Sequence, residues 1–244
     1  MIRLDIPAKP VELTDELASK LTQEFKATQK PVWKVTWLLD AVSAMAFSKC
    51  CYSEVRLGEE SKYIEVEHFH PKSLYPDEVM AWGNLLPACK KCNATKGEHD
   101  TVSQPIVNPF VDNPKTYFYF ENSFYRVKGN SQKGKLTIQK LGLNDFKHFV
   151  EPRMRISKSI NRTLNDLHED FSGSELTKYT IYTKRFKRLL QTGNRKEEYA
   201  ALVSTTILLS SDFEGIEAML KKCSRWDSEL EKLKEELLYC ALMK

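Results

Sequence analysis

The sequence predicts an α+β protein, with a cysteine-containing α+β part followed by an all-helical part. Three observations support this prediction. Apolar residues recur at helical spacing near both ends of the chain, a stretch in the first third alternates as a β-strand does, and no repeat of solenoid length occurs. With 244 residues, of which 41% are hydrophobic, the chain can bury a core as one large or two small domains.

The first part of the chain alternates between helical and extended patterns. Apolar residues spaced four apart predict an amphipathic helix over Glu12–Gln29, and a second helical period covers Trp33–Phe47. Alternating Tyr, Ile and Val residues predict a strand at Tyr63–Phe69. The segment Tyr75–Leu86 is mixed and contains a proline, whereas Cys92–Gly97 resembles a short helix whose last residue can cap it.

The rest of the chain is predicted to form a few strands and then helices. Three short strand candidates, separated by turn residues, are Thr116–Phe120, Phe124–Lys128 and Lys135–Gln139. From Asn144, a favourable N-cap, the pattern is helical to the end of the chain. We therefore expect two domains, 1–143 and 144–244.

Several classes of protein are excluded by composition and charge. No apolar stretch approaches the ~20 residues of a membrane span, and the first ten residues lack a signal-peptide core, so we expect a cytoplasmic protein. The net charge is only +4, but residues 145–196 hold twelve Lys/Arg against six Asp/Glu. Such a basic segment can face phosphates, and it can equally be a solvated helix surface.

Four of the six cysteines form two groups in the first part of the chain. The residues are Cys50, Cys51, Cys89 and Cys92. In a reducing compartment they should be free thiols or metal ligands, and C-x-x-C is a spacing at which two thiolates bind one Zn²⁺. A second C-x-x-C would need a cysteine at position 53, where Ser53 stands, so Cys51 is the obvious substitute. Structural zinc and a metal-free, cysteine-lined core both remain possible.

An acidic residue next to a histidine ends the first strand candidate. The carboxylate of Glu67 can hold a hard cation such as Mg²⁺, and the imidazole of His68 can take a proton from water near neutral pH. This pair is compatible with hydrolysis, although a histidine at a strand end can also be structural. His70, two residues later, can be a metal ligand or a surface residue that contacts substrate.

Together these motifs resemble the HNH (ββα-metal) endonuclease family. The matching elements, in chain order, are Glu67-His68-x-x-Pro71, Asn84-Leu85 and Cys89-x-x-Cys92-Asn93-x-x-Lys96. Glu67 stands where many members have aspartate, which preserves a carboxylate. The resemblance implies a ββα-metal core preceded by helices, with an all-helical C-terminal extension.

The resemblance also implies roles for the matched residues. His68 would be the general base, Glu67 and Asn93 the ligands of a catalytic Mg²⁺ or Mn²⁺ ion, Asn84 a brace for the histidine-bearing loop, and Lys96 a contact to the substrate phosphate. The ligands of a structural Zn²⁺ ion would be Cys50, Cys89, Cys92 and Cys51, with the fourth position open because residue 53 is serine.

Over most of its length the sequence is further similar to the PtuB-type HNH proteins of Septu and related retron antiphage systems. The segments that carry this similarity are KCCYSE, VEHFHPKS, VNPF…YFYF and LGLN. The resemblance implies an endonuclease that hydrolyses phosphodiester bonds of nucleic acid as the effector of a defence complex. It implies an ABC-type ATPase, PtuA, as partner, and in the retron branch a reverse transcriptase with its DNA product. Cleavage of RNA such as tRNA, or a non-catalytic zinc-bearing adaptor, are the alternatives.

A row of apolar residues near the C-terminus is a candidate partner surface. The residues, spaced alternately by four and three, are Met219, Cys223, Trp226, Leu230, Leu233, Leu237 and Cys240. If one continuous helix carries them they form a heptad seam; otherwise they are a core stripe within the domain.

Overall fold

The computed structural model describes residues 1–58 and 64–244. Its α-helices are α1 (Asp15–Thr28), α2 (Thr36–Ala44), α3 (Lys90–Lys96), α4 (Gln132–Lys140), α5 (Glu151–Ser172), α6 (Tyr179–Gln191), α7 (Ala200–Leu208), α8 (Ser211–Lys222) and α9 (Ser228–Cys240). Its strands are β1 (Ile64–His68), β2 (Leu85–Cys89), β3 (Phe118–Glu121) and β4 (Phe124–Val127), paired as two small sheets. The predicted α+β class is confirmed. Within the described ranges no helix is both long and apolar enough to cross a membrane.

The chain divides into two compact units. The first contains Met1, residues 3–117 and residues 127–144, and the second contains Ile2, residues 118–126 and residues 145–244. The β3–β4 hairpin is thus grouped, except for its last residue, with the helices that follow it. Each unit has its own buried apolar residues.

In the first unit, α1 and α2 enclose an apolar core next to the first sheet. The hydroxyl of Thr14 accepts a hydrogen bond from the Leu17 N–H and so caps α1. The buried core residues are Leu13, Phe25, Val32, Trp33, Leu38, Val42, Val66, Val79, Met80 and Leu85. Helix α2 packs on both strands of this sheet. The predicted N-terminal helices therefore share a core with strands β1 and β2.

Strands β1 and β2 pair antiparallel, and α3 follows β2 without a loop. Ile64 lies opposite Cys89 and His68 opposite Leu85. Helix α3 begins at the end of β2 because Cys89 caps it: its sulfur accepts a hydrogen bond from the Cys92 N–H. It ends at Gly97, whose φ of 53° favours glycine. The elements therefore stand in the order strand, strand, helix. Of the predicted strand at Tyr63–Phe69, Tyr63 lies outside the described residues.

The second unit is built around the long helix α5. Helices α6, α7 and α8 pack on it, and α9 packs on α6 and α7. Phe171 on α5 meets Tyr179 and Phe186 of α6 edge to face. The guanidinium of Arg153 is buried against the ring of Tyr125, 4.8 Å from its centroid. Aromatic packing of this kind stabilises the unit from within.

The predicted strand at Lys135–Gln139 is wrong, because these residues lie in α4. Ser131 caps this helix by accepting a hydrogen bond from the Gly134 N–H. Gly134, Thr137 and Leu141 are buried at helical spacing. The Thr137 hydroxyl accepts a hydrogen bond from the Val107 N–H at 2.8 Å, so a β-branched residue that favours a strand is used here for a tertiary contact.

The heptad seam is also wrong, because two helices share its residues. Helix α8 ends at Lys222 and α9 begins at Ser228, and Ser224 between them has a φ of 56°. Leu230, Leu237 and Cys240 are buried by packing within the second unit. The alternative interpretation, a core stripe, describes the structure.

Candidate functional site

A cleft of about 300 Å³ in the first unit brings together residues that are distant in sequence. Glu67 and His68, at the end of β1, form part of its wall, and Asn93 of α3 lines it as well. The antiparallel pairing makes this possible, because β2 runs back along β1 and leads directly into α3. Three residues expected at a catalytic site thus share one cleft.

The imidazole of His68 is held in one orientation. Its Nε2 atom lies 3.0 Å from the carbonyl oxygen of Val79, and its ring meets Trp33 edge-on with centroids 4.5 Å apart. A carbonyl oxygen only accepts hydrogen bonds, so Nε2 carries the hydrogen and Nδ1 keeps its lone pair. Burial lowers the pKa of His68 to about 4. The ring is therefore neutral at neutral pH, and the lone pair of Nδ1 is unprotonated.

Glu67 forms a buried ion pair with Lys96. The Lys96 ammonium lies 2.6 Å from Glu67 Oε1 and donates a hydrogen bond to the carbonyl oxygen of His68 at 2.8 Å. Oε1 accepts no well-aligned hydrogen bond within the described part of the chain. The contact between Lys96 and Glu67 is therefore electrostatic, and the lone pairs of Oε1 remain available to another ligand. Burial raises the pKa of Glu67 to about 7, although the charge of Lys96 opposes the shift.

The expectation that Lys96 contacts a substrate phosphate is not met in this structure. Its side chain is 1% exposed, and its ammonium faces Glu67 and His68 inside the protein. A buried carboxylate needs a counter-charge, and this need explains why the lysine points inward. Lys96 is therefore a positioning residue for Glu67.

Replacing Lys96 by methionine should lower the free energy of unfolding by about 3–5 kcal/mol, because it leaves the Glu67 carboxylate buried without its partner. Urea denaturation followed by circular dichroism measures this change. Lys90→Met is the matched control: Lys90 is exposed on the same helix, and its replacement should change the free energy by less than about 0.5 kcal/mol. Equal stability of the two variants would show that the ion pair contributes nothing.

Asn84 binds the loop that follows His68. Its Oδ1 accepts a hydrogen bond from the His70 N–H at 2.7 Å, and its Nδ2 donates to the carbonyl oxygens of His70 and Glu78, each at 3.2 Å. The amide is buried, so these bonds hold the loop without competition from water. Asn84 therefore acts on the backbone of this loop and does not line the cleft.

His70 lies in a different place from the other expected site residues. It lines a separate cleft of about 470 Å³ in the first unit, of which Glu67, His68 and Asn93 are not part. Its Nδ1 is 2.6 Å from a carboxylate oxygen of Glu78. The structure thus does not bring His70 to the substrate side of the His68 cleft.

Trp33 and Lys72 also line the His68 cleft, and neither received a functional role in the sequence analysis. The ammonium of Lys72, an exposed residue, lies 5.6 Å from the ring centroid of Trp33, and both residues line the cleft. Asn93 is half-buried, and its side chain forms no hydrogen bond with any described residue. The sequence signal for Lys72 is its place directly after Pro71, at the end of the matched histidine motif.

Three cysteines meet in the interior of the first unit. The sulfur atoms of Cys50, Cys89 and Cys92 lie within 4.8 Å of one another, and all three residues are buried. Cys51 is buried as well but is not part of this group. Its backbone N–H instead donates to the carbonyl oxygen of Pro87 in β2. The structure therefore does not support Cys51 as the fourth ligand.

The three thiols influence one another's ionisation. Burial alone would raise the pKa of Cys50, but hydrogen bonds from Cys89, Cys92 and Ser53 outweigh it and bring the pKa well below its ordinary value. The hydrogen bond with Cys50 raises the pKa of Cys89 to about 12, and burial raises that of Cys92. The Cys50 thiolate is thus surrounded by hydrogen-bond donors. A Zn²⁺ ion can take the place of the donated protons, since thiolates bind Zn²⁺ well.

Comparison with known proteins places this chain in a family. No protein-family model matches the chain. The chain is 40% identical over 241 residues to a Septu protein PtuB of Bacillus thuringiensis, covering 96% of this chain and 92% of that protein. A second Septu protein PtuB, of Bacillus mycoides (strain KBAB4), is 28% identical over 203 residues, covering 66% of this chain and 68% of that protein. Because the first similarity spans nearly the whole of both chains, this chain belongs to the Septu PtuB family.

Proposed function

We propose that this chain is a metal-dependent HNH endonuclease that hydrolyses phosphodiester bonds of nucleic acid in a Septu-type antiphage defence complex. One observation carries the proposal: a neutral histidine shares a cleft with a buried carboxylate and an asparagine amide, and neither His68 Nδ1 nor the Asn93 amide has a hydrogen-bond partner among the described residues. A proton acceptor beside oxygen donors is what hydrolysis of a phosphodiester requires.

The oxygen atoms of Glu67 and Asn93 fit a catalytic Mg²⁺ or Mn²⁺ ion, which prefers oxygen ligands. Glu67 Oε1 supports this assignment, because it is buried without an aligned hydrogen bond within the described residues. When bound there, such an ion would stabilise negative charge on the phosphate. Nδ1 of His68 takes a proton from the attacking water, while the carbonyl of Val79 keeps the ring in place. Lys96 holds the carboxylate of Glu67.

Two exposed lysines, Lys34 and Lys72, line the cleft, and we propose Lys72 for substrate contact. Lys72 is exposed and lies over the Trp33 ring, so its ammonium can meet a phosphate without leaving the cleft wall. This role replaces the one expected for Lys96. Because such a contact reads only the backbone, it fits DNA and RNA equally.

We propose a structural Zn²⁺ ion for the cysteine group. Three buried sulfur atoms converge there: Cys89 ends β2, Cys92 lies in α3, and Cys50 lies in the irregular segment before β1. Zinc would fix α3, and with it Asn93, relative to β2. The ion would support the cleft without taking part in catalysis.

The setting that we propose is the Septu one, with an ABC-type ATPase of the PtuA kind as partner. Both relatives named above are Septu proteins PtuB, whereas no described feature favours the retron branch with its reverse transcriptase. The alternative function is a zinc-bearing adaptor without catalysis. It is favoured by the cysteine group, which does not require the His68 cleft to be active.

A cleavage assay separates these possibilities. We expect the purified chain, alone or with its ATPase, to cut plasmid DNA or tRNA in Mg²⁺ or Mn²⁺ and to stop in EDTA. Asn93→Ala should cleave more slowly and recover part of its rate at raised metal concentration, because one ligand of the ion is lost. Asn161→Ala, an exposed residue of α5, is the control and should cleave normally. Absence of cleavage under all these conditions would favour the adaptor.

A further inference from the structure

The cysteine group supplies three ligands, whereas tetrahedral zinc takes four. Within residues 1–58 and 64–244, no further Cys, His, Asp or Glu reaches the three sulfur atoms. Cys51 is adjacent in sequence, yet it stays outside the group. Within the described part of the chain, the remaining position is left to a residue of another type or to water.

Ser53 occupies the same place in its turn as Cys92 does in the other turn. The Cys92 N–H donates to Cys89 Sγ at 3.5 Å, and the Ser53 N–H donates to Cys50 Sγ at 3.4 Å. The spacing from the sulfur acceptor to the N–H donor is three residues in both turns. The two halves of the group are thus built alike, and the side chain of residue 53 corresponds to a ligand side chain.

The hydroxyl of Ser53 also points into the group. Its Oγ is 3.6 Å from Cys89 Sγ, and the residue is buried at 1% exposure. With Zn–S near 2.3 Å and Zn–O near 2.1 Å, the tetrahedral angle separates sulfur and oxygen ligands by about 3.6 Å. The observed Oγ–Sγ separation is that of a hydrogen bond in this structure, and it equals the edge expected for a tetrahedron with one oxygen corner.

We propose that Ser53 is the fourth ligand of the zinc ion held by Cys50, Cys89 and Cys92. This inference rests on the structural zinc of the proposed function. A neutral hydroxyl keeps the total charge of the buried site one unit less negative than a fourth thiolate would. With three sulfur donors and one oxygen donor, the site also favours soft metal ions less strongly than a site of four thiolates would.

The test uses the full chain with Zn²⁺ and three variants. X-ray absorption at the zinc edge should show three sulfur atoms and one oxygen atom in the wild type, and four sulfur atoms in Ser53→Cys. Ser53→Ala should bind Zn²⁺ at least about tenfold more weakly in competition with a chelator, because it loses a ligand that the fold holds in place. Ser53→Cys should gain more affinity for Cd²⁺ than for Zn²⁺, since a fourth thiolate favours the softer ion.

Cys51→Ser is the matched control. It changes a buried cysteine two residues away and should leave both the zinc content and the number of sulfur ligands unchanged. Unchanged zinc affinity in Ser53→Ala, or three sulfur atoms in Ser53→Cys, would overturn the role of Ser53 while leaving the zinc site standing. Wild-type protein that is folded and free of zinc would instead overturn the zinc assignment itself.

Discussion

His68→Gln is expected to reduce the rate of phosphodiester cleavage by about 10²–10⁴-fold, the usual size of a general-base contribution. Glutamine can still donate a hydrogen bond to the carbonyl oxygen of Val79, as Nε2 of His68 does at 3.0 Å. Its amide lacks the basic nitrogen lone pair that Nδ1 of the imidazole offers. The chain should therefore fold and keep its metal ligands while losing the chemical step.

Glutamine is a better test than alanine because His68 is part of the core. The residue is 5% exposed, and its ring packs on Trp33. Alanine would remove both this packing and the hydrogen bond to Val79, at a cost of about 2–3 kcal/mol. Loss of activity in His68→Ala could then reflect lost structure.

His70→Gln is the matched control for His68→Gln. His70 lines the other cleft of the first unit, away from Glu67 and Asn93, so its replacement should leave cleavage within a few-fold of the wild type. Rates are measured on one labelled substrate at saturating metal, with thermal melting in parallel. A folded His68→Gln protein that cuts at the wild-type rate would refute the mechanism. An inactive but folded His70→Gln protein would indicate that the catalytic site lies at the His70 cleft instead.

Helices with regular apolar spacing could be predicted from the sequence, and segments decided by tertiary contacts could not. Helix α1 has both its apolar period and its Thr14 cap in the local sequence. Strand β2 contains Pro87, which argues against a strand. It is tolerated because this sheet has two strands among the described residues, and the carbonyl of Pro87 accepts a hydrogen bond from the Cys51 N–H. Neither fact is visible without the fold.

The candidate site divides in the same way. Glu67, His68 and Asn93 could be named from motif spacing, because short motifs fix residue types around a bound ion. The inward direction of Lys96 could not be predicted, since it depends on the burial of Glu67. The spacing of the cysteines marked position 53 as the missing ligand position, but serine is common in turns, and only the structure shows its hydroxyl beside Cys89.

Cys92→Ala should produce the largest loss of stability among the variants considered for this chain. Zinc binding contributes about 10–16 kcal/mol to the folding of small zinc-binding peptides, and a typical domain has only about 5–15 kcal/mol in total. Cys92 lies within both the sulfur group and α3. Its loss should release the ion and detach this helix from β2, so that cleavage disappears together with the folded first unit.

Metal removal distinguishes a lost ligand from a lost core residue. Zinc per chain and thermal melting are measured before and after dialysis against a chelator. The wild type should lose stability on dialysis, whereas Cys92→Ala should already be destabilised and change little further. Cys240→Ala, which removes an equally buried thiol from the second unit, should retain its zinc and lose only about 1 kcal/mol, a typical cost for one substitution. If Cys92→Ala and Cys240→Ala behave alike, and the chelator leaves the wild type unchanged, the group is a metal-free core of cysteines. Position 92 would then stabilise the protein by packing alone.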